Sequence, residues 1–425
     1  MSKHSRLTLA GLLLTAFGCE GNQSASPPIN TETGGKAGAP SAGGSRGSAG
    51  GTGGAAGESA GGGAPGGGGP SGTAGAGGAA GDTPDAAVNP DPGSGNQADA
   101  GSPPPPPTEA ATVQAFRAAH VYFAGEDNKR RVDAQVAFPQ AGPWKSVTLN
   151  LRLSCPQGRC DYWDRWAYLA VVNGEGNGES LTEIMRFVTP FRVGANWTAD
   201  VTALQPLLTG NRKLAVFIDT WVGPNHPQGN GWLVDASFEF EPGQPERVPV
   251  AVLPVWDIVG FEVGDPAKAT TLPERTLEIP AGASAVELRS FITGHGQGNF
   301  QNCAEFCPKT HTYRVGERDF NRRVWRDDCV RTAVPNQAGT WQYPRAGWCP
   351  GALVTPWVED ITAAAPPGAS TTLRYAPEPY VNTCRSNEMG PPVCSGCAPG
   401  RVCEYDNGSH TPPNYQQSAL LVVYR

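Results

Sequence analysis

Several patterns that would signal particular chemistries are missing from this 425-residue chain. Lysine and arginine nowhere form a dense run, and the formal net charge is −7 at pH 7, which argues against a nucleic-acid partner. The six histidines (His4, His120, His226, His295, His311 and His410) are scattered, without an HxH or HExxH pair. A zinc protease or copper oxygenase therefore has no support. The GxSxG pattern occurs only inside the Gly-rich tether, as GGSRG at 43–47 and GESAG at 57–61, without the strand–turn–helix setting that marks a serine hydrolase elbow. The stretch TGHGQG contains a GxGxG run, but phosphate binding would need a βαβ setting. Helical periodicity is scarce throughout, so these glycines read as permitting a tight loop near a ligand. The apolar run from Leu7 to Phe17 is too short for a membrane-spanning helix.

That run has another reading. Lys3 and Arg6 precede it and Gly18-Cys19 follows, the layout of a bacterial export signal. Gly18 before Cys19 resembles a lipobox, although Ala16 stands where leucine is commoner. Residues 1–19 are thus expected to be a lipoprotein-type signal peptide ending at Cys19. Acylation there would tether the protein to the cell envelope by lipid, at the outer membrane or cell surface. The alternative is ordinary cleavage and secretion with Cys19 free. Residues 20–112 are almost all Gly, Ala, Ser, Pro, Thr and Asp. They cannot bury enough apolar surface to offset ordering entropy, and read as a disordered tether. Of eleven cysteines, setting Cys19 aside leaves an even number in an exported chain, enough for up to five disulfides.

What the remainder does have is strand alternation. In Ser146 to Ser154, Val147, Leu149, Leu151 and Leu153 alternate with Thr148, Asn150 and Arg152, a half-buried antiparallel strand. RVDAQVAF, LAVFIDTWV, SFEFE, TLEIP, AVELRSFITG, HTYRV and the closing ALLVVYR read similarly. Gly, Pro and Asn clusters separate them, which favours β-sandwiches. The segment FEPGQPERVPV, near residue 245, is the natural boundary. It divides the folded part into residues 113–245 and 246–425.

Four stretches combine residues that carry chemistry. CPQGRCDYWDRWA sets Asp161, Asp164 and Arg165 beside Trp163 and Trp166. FIDTWVG places Asp219 and Trp221 on one face of a strand. FITGHGQGNFQNCAEFCPKTHTYRV holds Glu305 between Cys303 and Cys307. YPRAGWCPG holds Arg345, Trp348 and Cys349. Tryptophan faces stack on sugar rings, while carboxylates and arginines bond hydroxyls and amides, so a carbohydrate site is the class these residues suggest. The competing view makes the tryptophans core packing and the acids loop caps. It weakens across four clusters, because acids among apolar aromatics must find partners or shift pKa.

The blocks CPQGRCDYWDRWAYLAVV, MRFVTPFRVG, LAVFIDTW, NCAEFCPKTHT and RAGWCPGALV, in that order, resemble the peptide-N-glycosidase F family over roughly residues 115 to 425. The resemblance implies an all-β fold of two adjacent eight-stranded antiparallel jelly rolls with the site in the cleft between them. It implies hydrolysis of the amide joining an N-linked glycan to asparagine, giving aspartate and a glycosylamine, with no metal or cofactor. The expected partners are N-glycosylated proteins or peptides, met by a monomer. Asp164 matches the essential aspartate of the WDR element, and Glu305 the glutamate of the CAE element, which contacts the first sugar and ordered water. Arg165 and Arg345 match arginines of the cleft, and Trp163, Trp221 and Trp348 its aromatic lining. Disulfides Cys155–Cys160, Cys303–Cys307 and Cys329–Cys349 are implied. The first would close so small a loop that it contributes only about 2 kcal/mol, so its value would be geometric. Asp161 reads as a loop residue.

Three departures stand out. The acid of the family's ETW element is Asp219, grouped with Asp164 and Glu305 as catalytic and expected to orient Arg165 or Arg345, or to bond the sugar. His295 stands for a tryptophan, with Gln297 for a nearby histidine. Phe306 stands for the tryptophan after the catalytic glutamate. Residues 384–410 form a Cys-rich insertion with Cys384, Cys394, Cys397 and Cys403, open to two disulfides or a zinc site. The rival function is a catalytically silent glycan-binding surface lipoprotein.

Overall fold

Alternation of apolar and polar residues becomes strands wherever the apolar set can be buried on one face. The computed structural model describes residues 107–140, 142–297, 303–382, 384–385, 393–394 and 411–425. The signal peptide, Cys19, nearly all of the tether, and Cys397 and Cys403 of the insertion lie outside the described residues.

The first half contains β1 (Ala111–Ala124), β2 (Asp127–Lys129), β3 (Arg131–Phe138), β4 (Ser146–Ser154), β5 (Trp166–Asn173), β6 (Ser180–Val188), β7 (Ala195–Asp200), β8 (Gly210–Ile218) and β9 (Trp232–Glu241). The second contains β10 (Pro249–Glu262), β11 (Arg275–Glu278), β12 (Ala285–Gln297), β13 (Lys309–Val315), β14 (Arg318–Val324), β15 (Trp357–Asp360), β16 (Ser370–Pro377), β17 (Cys384–Arg385), β18 (Val393–Cys394) and β19 (Thr411–Tyr424). A single helical turn, α1 (Cys329–Thr332), follows β14.

All of the pairing between these strands is antiparallel. The first half is a sandwich of sheets ordered β2-β1-β9-β4-β7 and β3-β8-β5-β6, and the second of β10-β19-β12-β15 and β11-β16-β13-β14. These are two jelly rolls of eight principal strands, the three-residue β2 being an addition to the first. Val147, Leu149, Leu151 and Leu153 of β4 are all buried, facing the first core together with Val234, Ala236 and Phe238 of β9. Tyr313, Val315, Leu373, Tyr375 and Leu421 fill the second.

Three strands break the alternation, and two of them, β6 and β19, pack against each other where the halves meet. Residues 167–172 of β5 and 182–188 of β6 are buried on both faces. In β19, Ala419 and Leu421 join the second core while Leu420, Val422 and Tyr424 join the first. A strand covered on both sides reads as a continuous apolar run, which is why ALLVVY lacks polar interruptions.

The seam holds a buried charge. Arg186 is fully buried and reaches Glu183 through Nε and Nη2 at 2.8 and 2.7 Å. From there Nη1 donates across to the Thr293 hydroxyl at 3.2 Å and the Gln416 carbonyl at 2.6 Å. The Ser418 hydroxyl donates back to Glu183. Backbone bonds continue the seam, from Val354 N to Arg186 O and from Gly351 N to Val188 O, each 2.9 Å. Arg186→Met is therefore expected to lower unfolding free energy by about 3–5 kcal/mol, because Glu183 is left as an uncompensated buried charge. The double variant Arg186→Met/Glu183→Leu should lose less, and denaturant unfolding of both variants measures the difference.

Candidate active site

The loop between β4 and β5 is closed by the disulfide Cys155–Cys160, whose Cα atoms are 4.3 Å apart. The segment before β9 clamps it. Asn230 donates its backbone N–H to Arg159 O at 2.9 Å and its side-chain amide to Pro156 O at 3.2 Å. A Cβ at Gly229 would lie 2.2 Å from the Cys160 carbonyl oxygen, at φ +121°, so only glycine fits. Tyr162 N then bonds Gln228 O at 3.0 Å, and the chain turns into DYWDR.

Asp161 lies in that loop as expected, yet it is fully buried and carries more structure than a loop acid. It accepts from Trp163 N at 3.0 Å, from Thr220 Oγ1 at 2.7 Å and from Arg165 Nε at 2.8 Å. Thr189 Oγ1 takes the Arg165 N–H at 2.9 Å. The backbone on both sides of Asp164 is therefore held by its neighbours. Asp161 and Thr220 were missed in the sequence. The available signal was an acid and an arginine four apart, bracketing Trp-Asp.

Asp164 meets the second half across the seam. Burial raises its pKa above the usual carboxylate value, opposed by the charges of Arg345 and Arg165. Glu305 is almost wholly buried and is pushed up to about 8, by burial first and then by the Asp164 charge, against the pull of Arg345. Glu305 thus feels the charge of Asp164 from the other jelly roll, with Arg345 bearing on both. Arg345 is buried and each of its nitrogens is occupied: Nε on Glu305 at 3.2 Å, Nη1 on the carbonyls of Thr340 and Tyr343 at 3.0 and 2.9 Å, and Nη2 on Thr340 Oγ1 at 2.8 Å.

The support beneath Glu305 is a close backbone weave. Cys303 and Cys307 are bonded, as are Cys329 and Cys349. Ala346 N bonds Glu305 O at 2.9 Å and Gly294 N bonds Ala346 O at 3.0 Å. A Cβ at Gly294 would fall 1.8 Å from the Ala304 carbonyl oxygen. The glycine of TGHG is thus required by the approach of the CAEFC loop itself.

The expected aromatic lining divides. Trp163 and Trp221 are 49% and 51% exposed, as stacking surfaces require. Trp348 is only 3% exposed, and this corrects its assignment as cleft lining. Its Nε1 donates to Gly294 O at 2.7 Å. Its ring packs between the Arg345 guanidinium, 4.9 Å away, and His295, stacked at 5.2 Å. Both faces are covered, so Trp348 supports the site from beneath. His295 is half-buried, pairs with Thr293 Oγ1 at 2.8 Å, and is lowered to about pKa 3 by burial and by the positive Arg186 and Arg345. It is neutral at physiological pH. Phe306, after Glu305, is 52% exposed with the Arg345 guanidinium 5.8 Å from its ring.

Asp219 does not orient either of the two arginines expected of it. Its ion partner is Arg130 at 3.2 Å, and neither Arg165 nor Arg345 pairs with it. The Arg130 guanidinium also sits 4.3 Å over Trp221 and 5.1 Å over Phe123. Asp219 therefore orients a cation beneath an exposed tryptophan. Arg165 is oriented by Asp161, four residues before it in the same loop.

Among the described residues, no three His, Cys, Asp or Glu side chains converge as metal ligands would. The fold and site define a class: a double jelly roll with an acid pair contributed by both halves, set among arginines and exposed aromatics. Residues 172–235 match the family model "Peptide-N-glycosidase F, N terminal", and residues 265–393 match "Peptide-N-glycosidase F, C terminal". The chain is 31% identical over 256 residues to the peptide-N(4)-(N-acetyl-beta-D-glucosaminyl)asparagine amidase F of Elizabethkingia miricola, spanning 56% of this chain and 69% of that one. Its fold is similar to that of PNGase F, a glycosylasparaginase from Flavobacterium meningosepticum, with TM-score 0.60 and 24% identity over 74% of this chain and 96% of the other. It is also similar to PNGF-II, with TM-score 0.54 and 16% identity over 74% and 65% of the two chains. The chain belongs to the peptide-N-glycosidase F family.

Asp161→Ala should lower unfolding free energy by about 3–5 kcal/mol, since it strips a buried partner from Arg165. A loss under about 1 kcal/mol in denaturant titration would show that the pair does not hold this loop.

Proposed function

We propose that this chain hydrolyses the amide between an N-linked glycan and asparagine, releasing a glycosylamine and leaving aspartate. The observation that carries this is the unequal acid pair, Asp164 from the first half and Glu305 from the second, with Arg345 acting on both.

Amide hydrolysis needs water activated toward the carbonyl, charge stabilisation on its oxygen and a proton for the leaving nitrogen. Two carboxylates, one raised by the charge of the other, divide these tasks. Asp164 supplies the negative charge that raises Glu305, so it is assigned as the ionised member and takes a proton from the attacking water. Glu305, with its pKa near 8, holds a proton at neutral pH. It hydrogen-bonds the first N-acetylglucosamine at the amide nitrogen and protonates that nitrogen as the C–N bond breaks. Arg345 is fully engaged by protein atoms, so it acts by charge and by aiming Glu305. Among the described residues, the Nη groups of Arg165 have no hydrogen-bond partner, while Asp161 fixes its Nε. That leaves the Nη groups to meet the developing oxyanion. Trp163, Trp221 and Phe306 offer faces to sugar and peptide. The phenylalanine keeps an aromatic next to Glu305, though with a smaller face than the family's tryptophan.

An N-glycopeptide incubated in heavy-oxygen water should yield one aspartate carrying one labelled oxygen, read by mass spectrometry. Saturable binding with asparagine unchanged would make the protein a binder. Asp164→Asn should reduce release by on the order of 10²–10⁴-fold with the fold retained, and wild-type-like release would overturn its role.

The pH profile follows from the same pair. Activity should fall as pH rises through about 8, where Glu305 loses its proton. Glu305→Gln should be slower but lack that alkaline decline. An identical alkaline limb in both proteins would remove Glu305 as the acid.

A further inference from the structure

A second cavity, of about 360 Å³, adjoins the segment that carries Arg345. Arg326, in its wall, exchanges both backbone hydrogen bonds with Arg345, at 2.8 and 3.0 Å. Four arginines line it: Arg322 and Arg323 from the edge strand β14, Arg326, and Arg331 from α1. The Cys329–Cys349 disulfide ties α1 to the Trp348 segment.

Only one of these arginines is ion-paired at contact distance, while the charges of Asp328 and Glu359 reach Arg331 and Arg322 more weakly. Arg326 holds Asp328 through Nε and Nη2 at 2.9 and 3.0 Å, and its remaining donors reach Leu353 O and Thr332 Oγ1. Arg322, Arg323 and Arg331 are exposed and, among the described residues, form no ion pair. Among the described residues, the one side-chain hydrogen bond of Arg322 goes to Pro356 O at 3.4 Å. Asp327, also exposed, is the only other acid in the wall. Three cations against one anion leave the concavity positive on a chain whose net charge is −7. Basic residues on an edge strand can simply discourage strand pairing. That explains Arg322 and Arg323 on β14, but neither Arg331 on a separate element nor a concavity shared by all three.

We propose that this cavity is an accessory subsite for a carboxylate-bearing sugar on the substrate's glycan. Guanidinium forks match a carboxylate in geometry and charge. Partly buried Trp325 sits among them and supplies an apolar face of the kind sugar rings stack on, which favours an acidic sugar over an acidic peptide side chain. The inference rests on the amidase reading, since it makes the subsite a determinant of which glycans are released.

Two glycopeptides differing only in terminal N-acetylneuraminic acid provide the test. Wild type should favour the acidic one by roughly tenfold in kcat/KM, about 1.4 kcal/mol, with most of the preference lost in high salt. The triple variant Arg322→Gln/Arg323→Gln/Arg331→Gln should release both equally, at the wild-type rate for the neutral glycopeptide. A preference that survives in the triple variant overturns the proposal. So does a gain that follows acids placed in the peptide instead. If neither glycopeptide is cleaved, the amidase reading has failed independently. Calorimetric titration with a sialylated oligosaccharide then decides the subsite: binding lost in the triple variant supports it, and no binding by wild type ends it.

Discussion

The constraint on which the site depends is the buried pairing of Arg186 with Glu183. An arginine with no access to water must find a partner for every donor, and here those partners lie on both jelly rolls. Apolar packing between two sandwiches is tolerant of small slides. A guanidinium held by a carboxylate, a hydroxyl and a carbonyl is not, because each bond has its own direction. Such a pair adds little net stability over an apolar substitute, but removing one partner is costly. Its value is in registering Glu305 against Asp164.

The acid pair follows from that registration. Glu305 owes its raised pKa to burial and then to Asp164, so the proton it holds is a property of the assembled interface. The anchors serve the same end at shorter range: Asp161 with Thr220 fixes the WDR turn, and Arg345, gripped by Thr340 and Tyr343, aims Glu305. Trp348 and His295 form the floor beneath. Their substitution pattern makes sense in these terms, since a neutral histidine stacked on tryptophan can fill an aromatic's place without adding charge.

Much of the fold was legible in the residues. The two-residue period of β4 announces a half-buried strand, and the Gly/Pro punctuation announces short strands in sandwiches. The strands that escaped the rule, β5, β6 and β19, are those covered on both faces, and periodicity carries no information about a second covering layer. The stretches holding Asp164, Trp163 and Glu305 were conspicuous for acids and aromatics beside cysteines, and Trp221 for sharing a strand face with Asp219, while the roles of these residues came from the family resemblance. Asp161 was placed in its loop but not recognised as an anchor, and Trp348 was assigned the wrong duty. Burial depends on what arrives from elsewhere in the chain.

What the sequence by itself determined was local: where strands run, which cysteines lie close enough to close small loops, and which residue types could handle a sugar and an amide. These follow from side-chain period, chain reach and functional groups, all of which are properties of short stretches. The tertiary structure alone decided who partners whom. Asp219 went to Arg130, Asp161 took Arg165, and Arg345 was drawn to Glu305. Each outcome turned on a few ångströms between segments distant in the chain, because desolvation, ion pairing and the sharing of a proton all depend on distances that no linear pattern encodes.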